Sequence, residues 1–382
     1  MRSFLGCAIF AATSFCAGAA SSTLPDLPAS SPYREDVSAA SIDPSSALII
    51  QYLVAQGGWG PIGFRIDFST QMMTADGSAP RLAHVEKPGY YTEICDSAAQ
   101  AGDVPIPPLG ALGGHIAWAD SVACSGDCRL LVHDTASGFL YEAWDTSITV
   151  DPGTMAPDSL SSTCLVTWDL EFDYGANGRG DGCASTLTSG LPAAPLLIDA
   201  DEVTNDTIDH ALLLYLPNNR IAAGRYRHPA SAIGAPSSID PNAPPIGTRF
   251  RLKAGFDTSA FPTGVQPILA AMKTYGLILA EGGNVPLSAR SDTFTTAKWD
   301  ALGIATTDLL GIEPSDFEVV GPFGPSPNEI APVPACALDD NPHPTDAAPV
   351  ASLGALGAAL LALGSWATVG IALRRQVAAK GA

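Results

Sequence analysis

The segments LYEAWD (Leu140–Asp145) and CLVTWDL (Cys164–Leu170) are strand-like apolar runs, and the first lies in a stretch, residues 139–150, that alternates between two faces. A period of two residues is typical of strands that bury one face. Similar short runs recur between turns at Arg129–His133, Thr248–Ala254 and Phe317–Val320. This pattern predicts an all-β fold, with a single large β-sandwich or jelly-roll domain.

A few short helices are expected within this domain. The longest is predicted over Gln266–Tyr275, because Pro267 occupies its first turn and Gly276 follows its end. The run Ala47–Val54 is apolar and fits either a helix or a strand.

Composition limits the classes of partner. The chain has 382 residues and a net charge of −20, from 39 acidic and 19 basic residues. Such a balance argues against nucleic acid, whose phosphates require a basic surface. The 37 glycines and 32 prolines, with few charges, indicate a turn-rich folded protein rather than a disordered one.

Both ends of the chain predict export. Residues 1–20 combine a basic start, an apolar run and small residues at the end, which is typical of a signal peptide. Residues 349–373 carry no charge and are long enough to cross a bilayer as a helix. Arg374 and Arg375 begin a basic tail, residues 374–382, that the positive-inside rule places in the cytoplasm.

The predicted domains follow from these ends. Residues 21–45 form an irregular N-terminal segment, residues 46–320 the β-sandwich ectodomain and residues 321–348 a proline-rich linker. The linker, apolar helix and arginine pair also resemble bacterial sorting signals of the PEP-CTERM type, whose tails are cleaved. The sequence thus predicts the cell envelope or surface as the location, with the chain either anchored in the membrane or processed and released.

Six cysteines lie beyond the signal peptide, and an even number in an exported chain predicts disulfides. Six cysteines allow 15 pairings. We expect Cys164 to pair with Cys183 and Cys124 to pair with Cys128. A zinc site at Cys124 and Cys128 is the alternative, although no second pair at finger spacing accompanies it.

The ordered motifs resemble a family of secreted bacterial proteins. They are YExW at 141–144, WDL at 168–170, GRGDGC at 178–183, GLP at 190–192, DEV at 201–203, HPA at 228–230 and PPxGxRxRLK at 244–253. Members of that family occur beside carbohydrate-related modules, so the resemblance implies work near polysaccharide outside the cytoplasm. The chain departs from the family pattern at Leu187, where relatives carry an aspartate.

Carboxylates and tryptophans in the opening segments are candidates for glycoside hydrolysis. We expect Glu142, Asp169 and Asp201 to supply the carboxylates, which must lie within about 10 Å of one another. Trp144 and Trp168 would stack on sugar rings. The alternative is a solvated acidic face with packed tryptophans.

A cluster of basic residues offers a second candidate site. Arg227, His228 and Arg251 could line a cationic groove for an anionic glycan, since guanidinium groups match carboxylates in geometry. The alternative is that this basic region pairs with the acidic run at residues 199–209.

A calcium site is also a candidate. Asp173, Asn177 and Asp181 place oxygen ligands on a glycine-rich loop, as Ca²⁺ prefers, although their spacing is not that of an EF-hand. No other cofactor is indicated.

No motif in the chain defines a reaction, because Gly-x-Ser-x-Gly, His-Glu-x-x-His and phosphate-binding loops are all absent from it. The sequence predicts an exported, surface-anchored protein that binds or hydrolyses extracellular polysaccharide. The alternative is a non-catalytic envelope or adhesion protein whose acidic strands are structural.

Overall fold

A computed structural model describes residues 24–89, 94–321, 328–329, 336–337 and 341–346. The predicted signal peptide (1–20), membrane or sorting helix (349–373) and basic tail (374–382) lie outside these ranges. Within the described ranges, no helix has the length and apolar character needed to span a bilayer.

The described residues form six α-helices: α1 (Ser46–Ala55), α2 (Ala98–Ala101), α3 (Trp118–Ser121), α4 (Ala200–Asn205), α5 (Gln266–Thr274) and α6 (Trp299–Leu302). The first nine strands are β1 (Ile66–Thr70), β2 (Met73–Ala75), β3 (Arg81–Leu82), β4 (His84–Glu86), β5 (Val104–Pro105), β6 (Leu130–Asp134), β7 (Phe139–Trp144), β8 (Ser147–Val150) and β9 (Pro157–Ser162). The remaining strands are β10 (Cys164–Asp169), β11 (Leu212–Leu216), β12 (Arg225–Tyr226), β13 (Arg249–Leu252), β14 (Leu277–Gly282), β15 (Leu287–Arg290), β16 (Phe317–Val319) and β17 (Asn328–Glu329).

Two sheets dominate the fold. The larger has six strands in the order β1-β15-β11-β14-β13-β16, and the smaller has four in the order β10-β7-β6-β2. The larger sheet is mixed, because β11 pairs with β14 in parallel and with β15 antiparallel. In the smaller sheet, β7 pairs antiparallel with both of its neighbours.

The prediction of an all-β sandwich or jelly roll is therefore wrong, and the chain is a mixed α/β protein with several mixed sheets. The runs Leu212–Leu216 and Leu277–Ala280 are apolar without interruption and buried throughout. Such runs are typical of parallel strands that are covered on both faces. Segments β7 and β10, which the sequence predicts to be strands, are confirmed as strands and form part of the smaller sheet.

The layers of the fold pack on one another through three apolar cores. Leu212 and Leu214 face a first core, shared with Leu53 of α1 and Leu269 of α5. Leu213 faces a second core, which lies between the two main sheets and includes residues of β7 and β10. A third core covers the far face of the smaller sheet. The helices thus cover one face of the larger sheet, and the smaller sheet covers the other.

The described parts of both end segments pack on the domain. Tyr33 and Val37, in the segment predicted to be irregular, are buried. Asn341 and His343, in the segment predicted to be a linker, are also buried, and Asn341 donates to the carbonyl of Arg179 at 2.9 Å. These contacts make both described parts elements of the folded domain.

Helix α5 begins where the sequence predicted and ends one residue earlier. Pro267 lies in its first turn, and Gly276 just beyond its end adopts a φ of +72°. A side chain at residue 276 would also lie 2.5 Å from the carbonyl oxygen of Phe250. Glycine therefore ends this helix for two physical reasons, a left-handed conformation and a close approach.

Candidate functional site

A cleft of about 290 Å³ opens where the two main sheets meet. Its walls come from the carboxyl ends of β11 and β14, from β1 and β15, and from the segment before β6. We call it the inter-sheet cleft. Its polar groups belong to Asp67, Ser69, Thr70, Asp127, Arg129, Tyr215, Glu281, Asn284 and Ser288.

An ion pair joins the two sheets inside this cleft. Arg129, just before β6, donates from Nη2 to Oε2 of Glu281 at 2.5 Å. Glu281 lies beside Tyr215 in the pairing of β14 with β11. Both charged side chains are mostly buried, with exposed fractions of 13% and 15%. A buried charge is costly without a partner, so each of these side chains is held against the other.

The electrostatics of the cleft are dominated by acids. Burial acts to lower the pKa of the Arg129 guanidinium, but nearby Glu281, Tyr215 and Asp127 hold that pKa well above its usual range. Arg129 is therefore charged at every physiological pH. One guanidinium faces the three carboxylates of Asp67, Asp127 and Glu281, so the cleft carries excess negative charge.

Asp67 and Asp127 are oriented by hydrogen bonds from neutral groups. Oδ1 of Asp67 accepts from the backbone N–H of Ser69 at 2.9 Å. Oδ1 of Asp127 accepts from Nε1 of Trp144 at 3.0 Å. Neither carboxylate is in an ion pair with a described residue. Each retains a second oxygen that can accept from a ligand.

A small disulfide braces the turn that carries Asp127 and Arg129. Cys124 and Cys128 are bonded, as predicted, which excludes the zinc alternative. The carbonyl of Cys128 also accepts from the N–H of Thr146 at 3.1 Å, so the turn is tied to the end of β7. The side chains of the turn are therefore positioned by covalent and hydrogen-bonded constraints.

The three carboxylates predicted to be catalytic are not brought together. Glu142 pairs with Val166 and Asp169 pairs with Phe139 in the β7–β10 ladder. Since successive residues on a strand alternate between faces, Glu142 and Asp169 point to opposite faces of the sheet. Asp201 lies on α4 and accepts from the backbone N–H groups of residues 296 and 297.

Glu142 is fully buried and serves as a structural acceptor. Its Oε1 accepts from the N–H groups of Ala193 and Ala194, each at 2.8 Å. Its Oε2 accepts from Trp168 Nε1 and Thr186 Oγ1, each at 3.3 Å. Burial raises the pKa of this carboxyl to about 7, against the opposing effect of these hydrogen bonds. No solvent reaches it from the inter-sheet cleft, of which it is not a wall.

The tryptophans predicted to stack on sugar differ in their surroundings. Trp168 is completely buried and packs edge-on against Tyr174, so its ring is not accessible to a ligand. Trp144 is partly buried and orients Asp127 through its indole N–H. Of the residues predicted to bind substrate, Trp144 is the one directly linked to the inter-sheet cleft.

The basic residues predicted to form an anion groove are used in internal contacts. Arg227 pairs with Asp43 at 2.7 Å. Arg251 pairs with Glu318 at 2.6 Å and also donates to carbonyls of the segment 37–40. His228 contacts Asp181 at 2.8 Å. They do not pair with the acidic run at residues 199–209, from which Asp199 pairs with Arg290 and Asp209 with Arg34.

The residues predicted to bind calcium also have other partners. Oδ1 of Asp181 accepts from the hydroxyl of Tyr226 at 2.7 Å and lies against His228. Oδ1 of Asp173 accepts from the N–H of Gly175, and the Asn177 carbonyl accepts from the N–H of Gly180. In the part of the chain that the structure describes, no cluster of three or more His, Cys, Asp or Glu residues could hold a metal ion.

The pairing predicted between Cys164 and Cys183 is wrong. Cys164 bonds to Cys95 and Cys183 bonds to Cys336. Cys95 lies 69 residues from its partner, and Cys336 lies 153 residues from its partner. Tertiary packing brings each pair together, and sequence spacing carries no signal for bonds over such separations.

Sequence reasoning did not identify the residues of the inter-sheet cleft. One signal was present at Glu281-Gly282-Gly283-Asn284, where an acid and two glycines follow a buried apolar run. Ligands bind at the carboxyl ends of strands in open α/β sheets, so this position is typical of a site. That signal becomes useful once β14 is recognised as a parallel strand.

Fold and cleft together define a disulfide-stabilised mixed α/β protein with an acidic cleft between its two main sheets. Comparison of the chain with protein-family models, with curated proteins and with solved structures finds no match. The motif resemblance to secreted bacterial proteins thus stays a prediction, and the association with polysaccharide is taken up below as a proposal.

Proposed function

We propose that this chain is an exported protein that binds extracellular polysaccharide, and that the inter-sheet cleft holds a unit of the glycan. The observation that carries this proposal is the arrangement of fixed polar groups around the Arg129–Glu281 ion pair. The association with carbohydrate suggested by the sequence motifs points in the same direction.

The size and lining of the cleft suit a small polar ligand. Its volume of about 290 Å³ lies near the lower end of the range of small-molecule sites, roughly 300–1,000 Å³. Carboxylates accept hydrogen bonds, the guanidinium of Arg129 donates them, and the side chains of Ser288 and Asn284 do both. Sugar hydroxyls also donate and accept, so each can pair with more than one of these groups.

Export is supported by the cysteines. All six cysteines that follow the predicted signal peptide are paired in three disulfides. Disulfides form and persist in oxidising compartments such as the periplasm and the exterior. The net charge of −20 is consistent with a soluble exterior domain and unfavourable for a nucleic-acid partner.

Binding is favoured over hydrolysis. A glycosidase needs one carboxyl that donates a proton and a second that is free to act on the sugar. Glu281 is held in its ion pair with Arg129, and Glu142 and Asp201 are occupied by backbone N–H groups. Of the three carboxylates predicted to be catalytic, two thus hold the structure together, and the third, Asp169, points to the opposite face of the sheet from Glu142.

The proposal is tested by titrating the purified full-length chain with a panel of neutral, acidic and amine-bearing polysaccharides, using calorimetry for affinity and a reducing-sugar assay for cleavage. We expect binding to at least one class, without release of sugar. Tyr215→Phe should weaken this binding about fivefold, because its hydroxyl lies in the cleft beside Arg129.

Tyr52→Phe is the matched control. Tyr52 is about as buried as Tyr215, and its hydroxyl contacts Ser238 at 2.8 Å outside the cleft. Its loss should leave affinity unchanged. Absence of binding to every polysaccharide, or equal affinity in Tyr215→Phe and the wild type, would overturn the proposal. Sugar release would show that the protein is a hydrolase instead.

A further inference from the structure

We infer that the inter-sheet cleft selects a sugar unit that carries a protonated amine, such as a hexosamine without its N-acetyl group. This inference rests on the proposed function and narrows it to one class of glycan. It is argued from the charge balance and hydrogen bonding of the cleft.

Arg129, the one basic residue among those described as lining the cleft, is in an ion pair with Glu281. Arg129 donates to Glu281 at 2.5 Å, and the two side chains are mostly buried against each other. The charge of this guanidinium is therefore already balanced by Glu281, and an acidic sugar would also meet the negative charges of Asp67 and Asp127. Repulsion between like charges makes uronic-acid polymers poor ligands for this cleft.

The two other carboxylates are available to a cation. Asp67 and Asp127 each accept one hydrogen bond from a neutral group and take part in no ion pair among the described residues. Asp67 lies on β1 of the larger sheet and Asp127 lies in the turn before β6, so they approach the cleft from two walls. A protonated amine has three N–H donors, which match acceptors on two sides.

The neutral walls of the cleft favour a sugar rather than a simple amine. Ser69, Ser288 and Asn284 offer hydrogen bonds to hydroxyl groups beside the two carboxylates. Gly114, which also lines the cleft, has open space where a side chain would stand. An amine borne on a polyhydroxylated ring uses both kinds of partner at once.

The test measures the affinity of the full-length chain for two glucosamine oligomers of the same length. One oligomer is fully de-N-acetylated and the other is fully N-acetylated, and both are measured at a pH where the amine is protonated. We expect the amine-bearing oligomer to bind at least tenfold more tightly, with a preference that weakens as salt is added.

The double variant Asp67→Asn/Asp127→Asn should reduce this preference to about twofold or less. Asparagine can keep both existing hydrogen bonds through Oδ1, so the fold is retained. The control is Asp151→Asn/Asp257→Asn, which removes the same charge from two exposed turns outside the cleft, where each carboxylate accepts from a backbone N–H as Asp67 does. It should retain the full preference.

The outcomes separate this inference from the proposed function. Equal affinity for the two oligomers, or an unchanged preference in the Asp67→Asn/Asp127→Asn variant, would overturn the inference while leaving glycan binding intact. Equally tight binding of a basic peptide would show that the cleft recognises the amine without the sugar, and would also overturn it. Failure of every glycan to bind would remove the proposed function itself.

Discussion

Replacement of Glu142 by glutamine should change the pH dependence of stability. Glu142 is completely buried, and its two oxygens accept four hydrogen bonds. Glutamine has nearly the same shape and can still accept from Ala193 and Ala194 through its carbonyl. Its amide NH2 would face the indole N–H of Trp168, which adds a cost that does not change with pH. Because glutamine cannot ionise, the pH dependence of the difference in stability isolates the free energy of holding a charge at this position.

The magnitude follows from the pKa of the Glu142 carboxyl. Burial raises this pKa from 4.5 to about 7 in the folded chain. Below pH 4.5 the carboxyl is protonated in both the folded and the unfolded chain, and its ionisation costs nothing. Between about pH 4.5 and 7 the unfolded chain ionises first, so the free energy of unfolding falls as pH rises. Above pH 7 the loss reaches about 3 kcal/mol.

Urea unfolding at several values between pH 4 and pH 8, followed by tryptophan fluorescence, measures this effect. The wild type should lose about 3 kcal/mol more than Glu142→Gln across that range. Other titrating groups are common to both proteins and cancel in the difference. Glu171→Gln, which removes an exposed carboxylate just after β10, controls for the change in net charge.

Two results would refute this reasoning. A difference between wild type and variant that stays constant with pH would mean that the carboxyl is not desolvated. A wild type that gains stability over the variant as pH rises would mean that the four donors outweigh burial and hold the folded pKa below 4.5. In either case the carboxyl of Glu142 would have a different role from the one its burial indicates.

Two further predictions concern the frame of the fold. Replacement of Cys95 and Cys164 by alanine should lower the free energy of unfolding by about 4 kcal/mol, because their disulfide closes a loop over 69 positions. A loss below about 1 kcal/mol, measured by urea unfolding, would contradict this expectation. Gly247→Ala should lower the free energy of unfolding by more than about 3 kcal/mol. The new Cβ would lie 1.8 Å from the carbonyl oxygen of Arg227, and the φ of residue 247 is +83°. Gly224 also has a positive φ, +67°, but a Cβ there would meet open space, so Gly224→Ala should lower the free energy of unfolding by about 1 kcal/mol. Equal thermal unfolding midpoints for the two glycine variants would disprove the argument.

The sequence alone determined much of the local structure. Short apolar runs, with alternation over residues 139–150, identified β7 and β10 as strands, although the structure buries both faces of each. Pro267 and Gly276 placed both ends of α5 to within one residue, because proline fits the first turn and glycine permits the left-handed conformation that ends a helix. The short spacing of Cys124 and Cys128 made their pairing predictable.

The class of fold was decided by the tertiary structure. The sequences of β11 and β14 are apolar runs without alternation. They therefore do not predict which strands these two pair with, or whether the pairing is parallel. Burial of both faces of the larger sheet requires α1 and α5 on one side and the smaller sheet on the other. That requirement belongs to the whole domain, and no single segment reveals it.

The candidate site was likewise a product of tertiary structure. Arg129 and Glu281 are 152 positions apart and meet only because the two main sheets pack against each other. Conversely, Glu142 and Asp169 are close in the ladder but point to opposite faces, and register decides this. The sequence determined which side chains could carry charge, and packing decided which of them became buried acceptors and which line the cleft.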